Sequence, residues 1–194
     1  GDKIKGIAFD VTAVGSTFTG SLSDFTVAIG NTTNTTLTST AFVGGLTTVR
    51  NAATLSVPTT SLPQSLNILF DTNFTWNGTS NIVIQTSYSN VNSGTTTDYV
   101  QSKGSTTAFA STNWYRTDSV SAASILSATT PSGSGSTRPN FVLTREGNSA
   151  ITWSPTAGLY TDAAGTVPYT GTATATVYAR PTTSTNYVAR ATTF

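Results

Sequence analysis

Residues 65–88 read SLNILFDTNFTWNGTSNIVIQTSY. Leu66, Ile68 and Phe70 recur at every second position, the period of a strand with one buried face. After Asp71-Thr72 the pattern resumes at Phe74 and Trp76, Asn77-Gly78 turns the chain, and Ile82, Ile84, Thr86 and Tyr88 alternate on the return. Apolar alternation on both sides of Asn-Gly is a hairpin signal, because both residues of that pair accept the left-handed backbone a tight turn needs. The stretch from Trp76 to Asn81 is longer than a two-residue loop, so the sequence predicts two strands joined by a wider turn.

The same period extends outward from this stretch. Ile7, Phe9 and Val11 share one face of a predicted first strand, and a break follows at Gly15-Ser16. Phe25, Val27 and Ile29 share a face of a second, which the pair Gly30-Asn31 is expected to end. The chain is nearly all polar over 31–40, and Phe42, Val43 and Leu46 around Gly44-Gly45 suggest a loop with a short strand. From Val49 onward the sequence reads as a further polar stretch. Later strands are predicted at 97–101, 113–117 and 140–145, with at most one helical turn at 122–126. Residues 131–137, PSGSGST, read as a flexible loop.

Composition supports the same fold class. The 194 residues include 43 Thr and 24 Ser. Thr is β-branched and suits a pleated, half-buried surface, whereas the strong helix formers are scarce. Such a hydroxyl-rich chain competes with disorder, but three Trp, seven Tyr and nine Phe supply the apolar mass of a core. The expected fold is therefore all-β. An antiparallel β-sandwich over 1–146, of jelly-roll or Ig-like type, is followed by a small β module over 147–194. In the second part, strands are predicted at 150–153, 159–161, 173–178 and 186–191. This part is too short for a complete Ig-type sandwich of ~100 residues and needs a neighbour to complete it.

What the chain lacks removes whole classes of chemistry. It contains no His, no Cys and no Met. Without His there is no ordinary Ser/His/Asp or Cys/His nucleophile pair, and without Cys there is no zinc–thiolate site, iron–sulfur cluster or disulfide. A net charge of +1, with charged residues at 9% of the chain, offers no basic stripe for nucleic acid. No run approaches the ~18 apolar residues of a spanning helix, so membrane insertion is not expected. Gly in place of Met at position 1 reads as a processing boundary.

The remaining candidate residues are weighed by what each could do. Trp76, beside Asn77-Gly78, reads as a core or turn-packing residue. Trp114-Tyr115-Arg116 is the candidate ligand platform, since neighbouring residues on a strand point to opposite faces and one of the two aromatics is then directed outward. The carboxylates Asp10, Asp24, Asp71, Asp98, Asp118, Glu146 and Asp162 are scattered and form no pair of the kind that hydrolyses glycosides. Calcium would find only Asp71 with Asn73, or Asp98 with nearby carbonyls, so no metal site and no cofactor are expected. Asn31, Asn34, Asn73 and Asn77 each begin an Asn-x-Thr sequon.

Two sets of motifs point to a family. The first is FDVTAVG at 9–15 with FTWNGTSNIVIQ at 74–85; the second is ITWSP at 151–155, GLYTD at 158–162 and TVYARP at 176–181. Together they resemble modules of large secreted surface proteins of the Bacteroidota, the kind exported by the type IX secretion route and built from β-sandwich and Ig-like repeats. The family's first module often carries Cys near the positions of Ser87 and Ser124, which are serines here. The resemblance implies an extracellular, cell-surface location and carries over no catalytic residue. By the same resemblance, Asp118-Ser119-Val120 is similar to an Asp-Ser/Thr-apolar O-glycosylation pattern and marks Ser119.

These readings lead to a non-enzymatic structural or adhesive module, part of a surface protein or filament. Its partners are expected to be copies of itself or neighbouring domains of the same protein, meeting at strand edges with few charges to block pairing. The alternative is a carbohydrate-binding module of a secreted polysaccharide-degrading enzyme, with glycans as partners and Trp114 and Tyr115 in the binding face.

Overall fold

A computed structural model describes residues 2–89, 99–146 and 150–192. The chain divides into two compact units, Gly1–Glu146 and Gly147–Phe194. The first holds strands β1 (Lys3–Val14), β2 (Ser21–Thr32), β3 (Thr47–Ser56), β4 (Gln64–Thr75), β5 (Asn81–Ser87), β6 (Val100–Ser102), β7 (Gly104–Thr106) and β8 (Thr112–Trp114). A single helical turn, α1 (Ala122–Leu126), precedes β9 (Gly133–Gly135), β10 (Thr137–Pro139) and β11 (Phe141–Arg145). The second unit holds β12 (Ala150–Ser154), β13 (Leu159–Tyr160), β14 (Tyr178–Ala179) and β15 (Val188–Thr192). The fold is all-β, and every strand pairing is antiparallel.

Two sheets of the first unit share one core. In one, β1 is central, with β4 along one edge and β11 then β6 along the other. In the second, β2 is central between β3 and β5. The period-two readings place the faces correctly: Ile7, Val11, Phe25, Val27 and Ile29 are buried, with Phe9 packed against them. Ile4, Ile68 and Phe74 join from the first sheet, and Leu22, Val49 and Leu55 from the second. Burying such side chains from both sheets is what holds a sandwich together, at ~25 cal/mol for each Å² of apolar surface removed from water.

The Asn-Gly stretch forms its turn but not a hairpin. Gly78 has a φ of +83°, and the Asn77 side-chain carbonyl accepts the backbone N–H groups of Thr79 and Ser80 at 3.1 and 2.9 Å. Yet β4 pairs with β1 while β5 pairs with β2, so the turn carries the chain from one sheet to the other. Trp76 sits on this crossover as a structural residue, partly buried against the core, with its indole N–H donated to the Ser80 carbonyl at 2.8 Å.

Three other local expectations are corrected. Strand β2 does not stop at Gly30-Asn31 but continues to Thr32 in register with β5. A Cβ at Gly30 would lie 2.6 Å from the tip of the Leu46 side chain, which would have to move aside. The stretch after Val49 is strand β3, hidden in the sequence because its pairing with β2 shifts register repeatedly and only Val49 and Leu55 of the strand are buried. Segment 131–137 is not a loose loop but contributes β9 and the start of β10. The helical turn at 122–126 forms as read, with Ser121 as its N-cap.

The second unit has two short pairings, β12 with β15 and β13 with β14. Among the described residues of this unit, Leu159 and Tyr169 are buried. Trp153 donates its indole N–H to the Thr174 carbonyl at 3.1 Å, and the Tyr169 hydroxyl accepts the Trp153 backbone N–H at 3.1 Å. The predicted strand at 173–178 reaches the sheet only at its last residue, Tyr178.

Candidate functional site

Trp114 closes strand β8, opposite Gly133 on β9. The ribbon is fixed from both sides. Ser111 donates its N–H to the Gly135 carbonyl and Ser132 donates its own to the Trp114 carbonyl, at 2.9 and 2.8 Å. Asn113 donates through its side-chain amide to the carbonyls of Thr38 at 2.8 Å and Ala41 at 3.5 Å, tying β8 to the polar segment after β2. Its Oδ1 is buried without a hydrogen-bond partner.

The sequence GSG on β9 explains how the indole sits. A Cβ on Gly133 would lie 2.5 Å from Trp114 Cζ2 and 2.6 Å from Cε2, and one on Gly135 would lie 3.4 Å from Cζ3. The indole therefore reaches over both glycines and occupies the space that a side chain at Gly133 would need. A glycine inside a strand commonly marks this kind of close approach. Trp114 nevertheless keeps 44% of its surface exposed. The indole thus meets the glycine backbone of β9 while a large part of the residue stays exposed to solvent.

Tyr115 is 38% exposed and Arg116 is also exposed; because β8 ends at Trp114, Tyr115 lies outside the strand, and the alternation expected to turn only one of the two aromatics outward does not apply. The Arg116 backbone N–H donates to Ser132 Oγ at 3.2 Å, which holds the three residues beside β9. Ser119 lies on an exposed turn with φ of +56°, a backbone region that non-glycine residues seldom occupy. Sequence reading identified the tryptophan but not its glycine seat; the alternation of Gly and Ser at 133–135 was the signal available for it.

Of the carboxylates, Asp71 accepts two hydrogen bonds from Asn51. Asp98 lies outside the described residues. Asp162, in the second unit, accepts the backbone N–H groups of Val167 at 2.7 Å and Thr166 at 3.0 Å, and the Thr166 hydroxyl at 2.8 Å. These donors, the Val167 N–H foremost, lower its pKa from 3.8 to about 2. Among the described residues no group of three or more acidic side chains is placed to hold a metal ion, and no helix is long and apolar enough to cross a membrane.

No protein-family model, no curated protein and no solved structure matches this chain.

Proposed function

We propose that this chain is a non-enzymatic structural or adhesive module of an extracellular bacterial surface protein, a Thr-rich sandwich followed by a short Ig-like repeat, and that copies associate by pairing strand edges. The observation that carries this reading is strand β5. Among the described residues only β2 pairs with it, which leaves one edge of a seven-residue strand unpaired. Its sequence, NIVIQTS, has no charge and no proline, the two devices that most often block edge-to-edge pairing. The other long outer strands each carry charge: Arg50 on β3, Asp71 on β4 and Arg145 on β11. An uncharged edge rich in β-branched residues is suited to accept a strand from another molecule.

The low overall charge supports the same reading, since little repulsion opposes close lateral contact. The absence of His and Cys from the composition favours a structural role over nucleophilic catalysis. The test is negative-stain electron microscopy with sedimentation velocity on the full chain, from micromolar to millimolar concentration. Assemblies should grow with concentration and disappear in Val83→Lys and Gln85→Lys, which place a cation on β5. A chain that stays monomeric throughout, or assemblies that both variants leave unchanged, overturns strand-edge association.

A further inference from the structure

The three tryptophans are not equivalent. Trp76 and Trp153 are partly buried, and each spends its indole N–H on a backbone carbonyl, that of Ser80 and Thr174 respectively. That is the usual arrangement for a tryptophan that packs. Trp114 is 44% exposed, and among the described residues its indole N–H has no hydrogen-bond partner. Packing alone does not explain why the largest apolar side chain should lie so exposed at the surface with its donor unused among the described residues.

The seat of the ring adds a second observation. Gly133 and Gly135 place side-chain-free backbone against the indole, with Cζ2 and Cε2 nearest the first and Cζ3 nearest the second. Ser132, which bonds both to the Trp114 carbonyl and to the Arg116 N–H, holds the following turn against the same ribbon. The result is an exposed indole seated over two glycines, with the exposed Tyr115 and Arg116 next in sequence. A preorganised surface of this kind binds without having to order itself first.

We infer that Trp114 is the stacking platform of a carbohydrate-binding site, which takes a pyranose ring of a neutral oligosaccharide. A pyranose presents flat patches of C–H bonds that match an aromatic face, and hydroxyl groups around its edge. The indole N–H donates to such a hydroxyl, and the Arg116 guanidinium supplies further donors when its side chain turns toward the ring. This site uses residues of β8 and β9 and none of β5, and either proposal can fail without the other.

The experiment is a ¹⁵N-HSQC titration of the full chain with cellohexaose, xylohexaose, mannohexaose and, as an acidic comparison, a galacturonate hexamer. The Trp114 indole N–H signal is identified as the one of the three that Trp114→Phe removes. One or more neutral hexasaccharides should move the Trp114 signal saturably and leave those of Trp76 and Trp153 in place. Trp114→Ala should weaken that binding at least about tenfold, whereas Trp114→Tyr should retain most of it, as stacking on any aromatic face requires. The wild-type titration does not depend on either variant folding. The inference is overturned if no neutral hexasaccharide shifts the Trp114 indole at millimolar concentration, if only the galacturonate does, or if a folded Trp114→Ala binds as the wild type does.

Discussion

The Asp71 carboxylate on β4 accepts two hydrogen bonds from Asn51 on β3 through a single oxygen, Oδ2: one from the backbone N–H at 2.8 Å and one from the side-chain amide at 3.2 Å. Strand β4 belongs to one sheet and β3 to the other, so this contact ties the two layers at one margin of the sandwich. Asp71 lies where the pairing of β4 with β1 breaks register between Leu69 and Phe74, which frees it from the ladder to reach across. Charge-assisted bonds are stronger than neutral ones, but exposure to water reduces what they contribute. Asp71→Ala should destabilise the first unit by about 1 kcal/mol, read as a lower urea midpoint with an unchanged slope. Asp71→Asn, which keeps an acceptor, should cost less.

Neighbouring residues on β4 provide a sharp contrast. Ile68 is 2% exposed and Leu69 is 65% exposed, as the alternation in the sequence requires. Ile68→Ala removes methyl groups from a closed core shared by both sheets and should cost about 2–5 kcal/mol. Leu69→Ala should stay within about 0.5 kcal/mol. Equal losses from the two substitutions, measured by thermal or urea unfolding, would contradict the facing of this strand.

That alternation was the most legible feature of the chain, because a period of two is a local property that survives whatever the strand pairs with. The pairing partner is not local. The Asn77-Gly78 turn was readable, but the five residues from Trp76 to Ser80 suffice to step the ~10 Å between packed sheets, so the flanking strands part instead of pairing. Strand β3 was illegible for the opposite reason. Its register shifts against β2 destroy the period, and Arg50, Asn51 and Thr54 give it the composition of a loop. At the candidate site, Trp114 stood out by residue type, while GSG on β9 resembled a linker until the indole that lies on it was seen. A glycine chosen for close approach and one chosen for flexibility are the same letter.

The glycines themselves separate these two cases. At Gly133 a Cβ would lie 2.5 Å from the Trp114 ring, so Gly133→Ala must lift the indole off its seat and should destabilise the unit by about 1–3 kcal/mol, with a red shift in tryptophan emission as the ring becomes wetter. Gly44 has nothing within 4 Å of its Cβ position and no positive φ. Gly44→Ala should be neutral, or stabilising by up to about 1 kcal/mol, through the reduced freedom of the unfolded chain.

Acid should loosen the second unit through Asp162. Its pKa is lowered from 3.8 to about 2 by the N–H groups of Val167 and Thr166 and by the Thr166 hydroxyl, all of which donate to the ionised carboxylate. Because the folded value lies below the unfolded one, the contribution to stability is fully present above pH ~4. It declines as pH falls through the window between the two values and is gone below about 2. Carboxyl ¹³C titration should give Asp162 a midpoint near 2, and the Val167 and Thr166 amide signals should move with that same midpoint. The hydrogen exchange of the Val167 amide should quicken across the same window. In Asp162→Asn, which accepts hydrogen bonds without titrating, that acceleration should be absent. A midpoint near the ordinary 3.8 would show that the loop does not hold the carboxylate in solution.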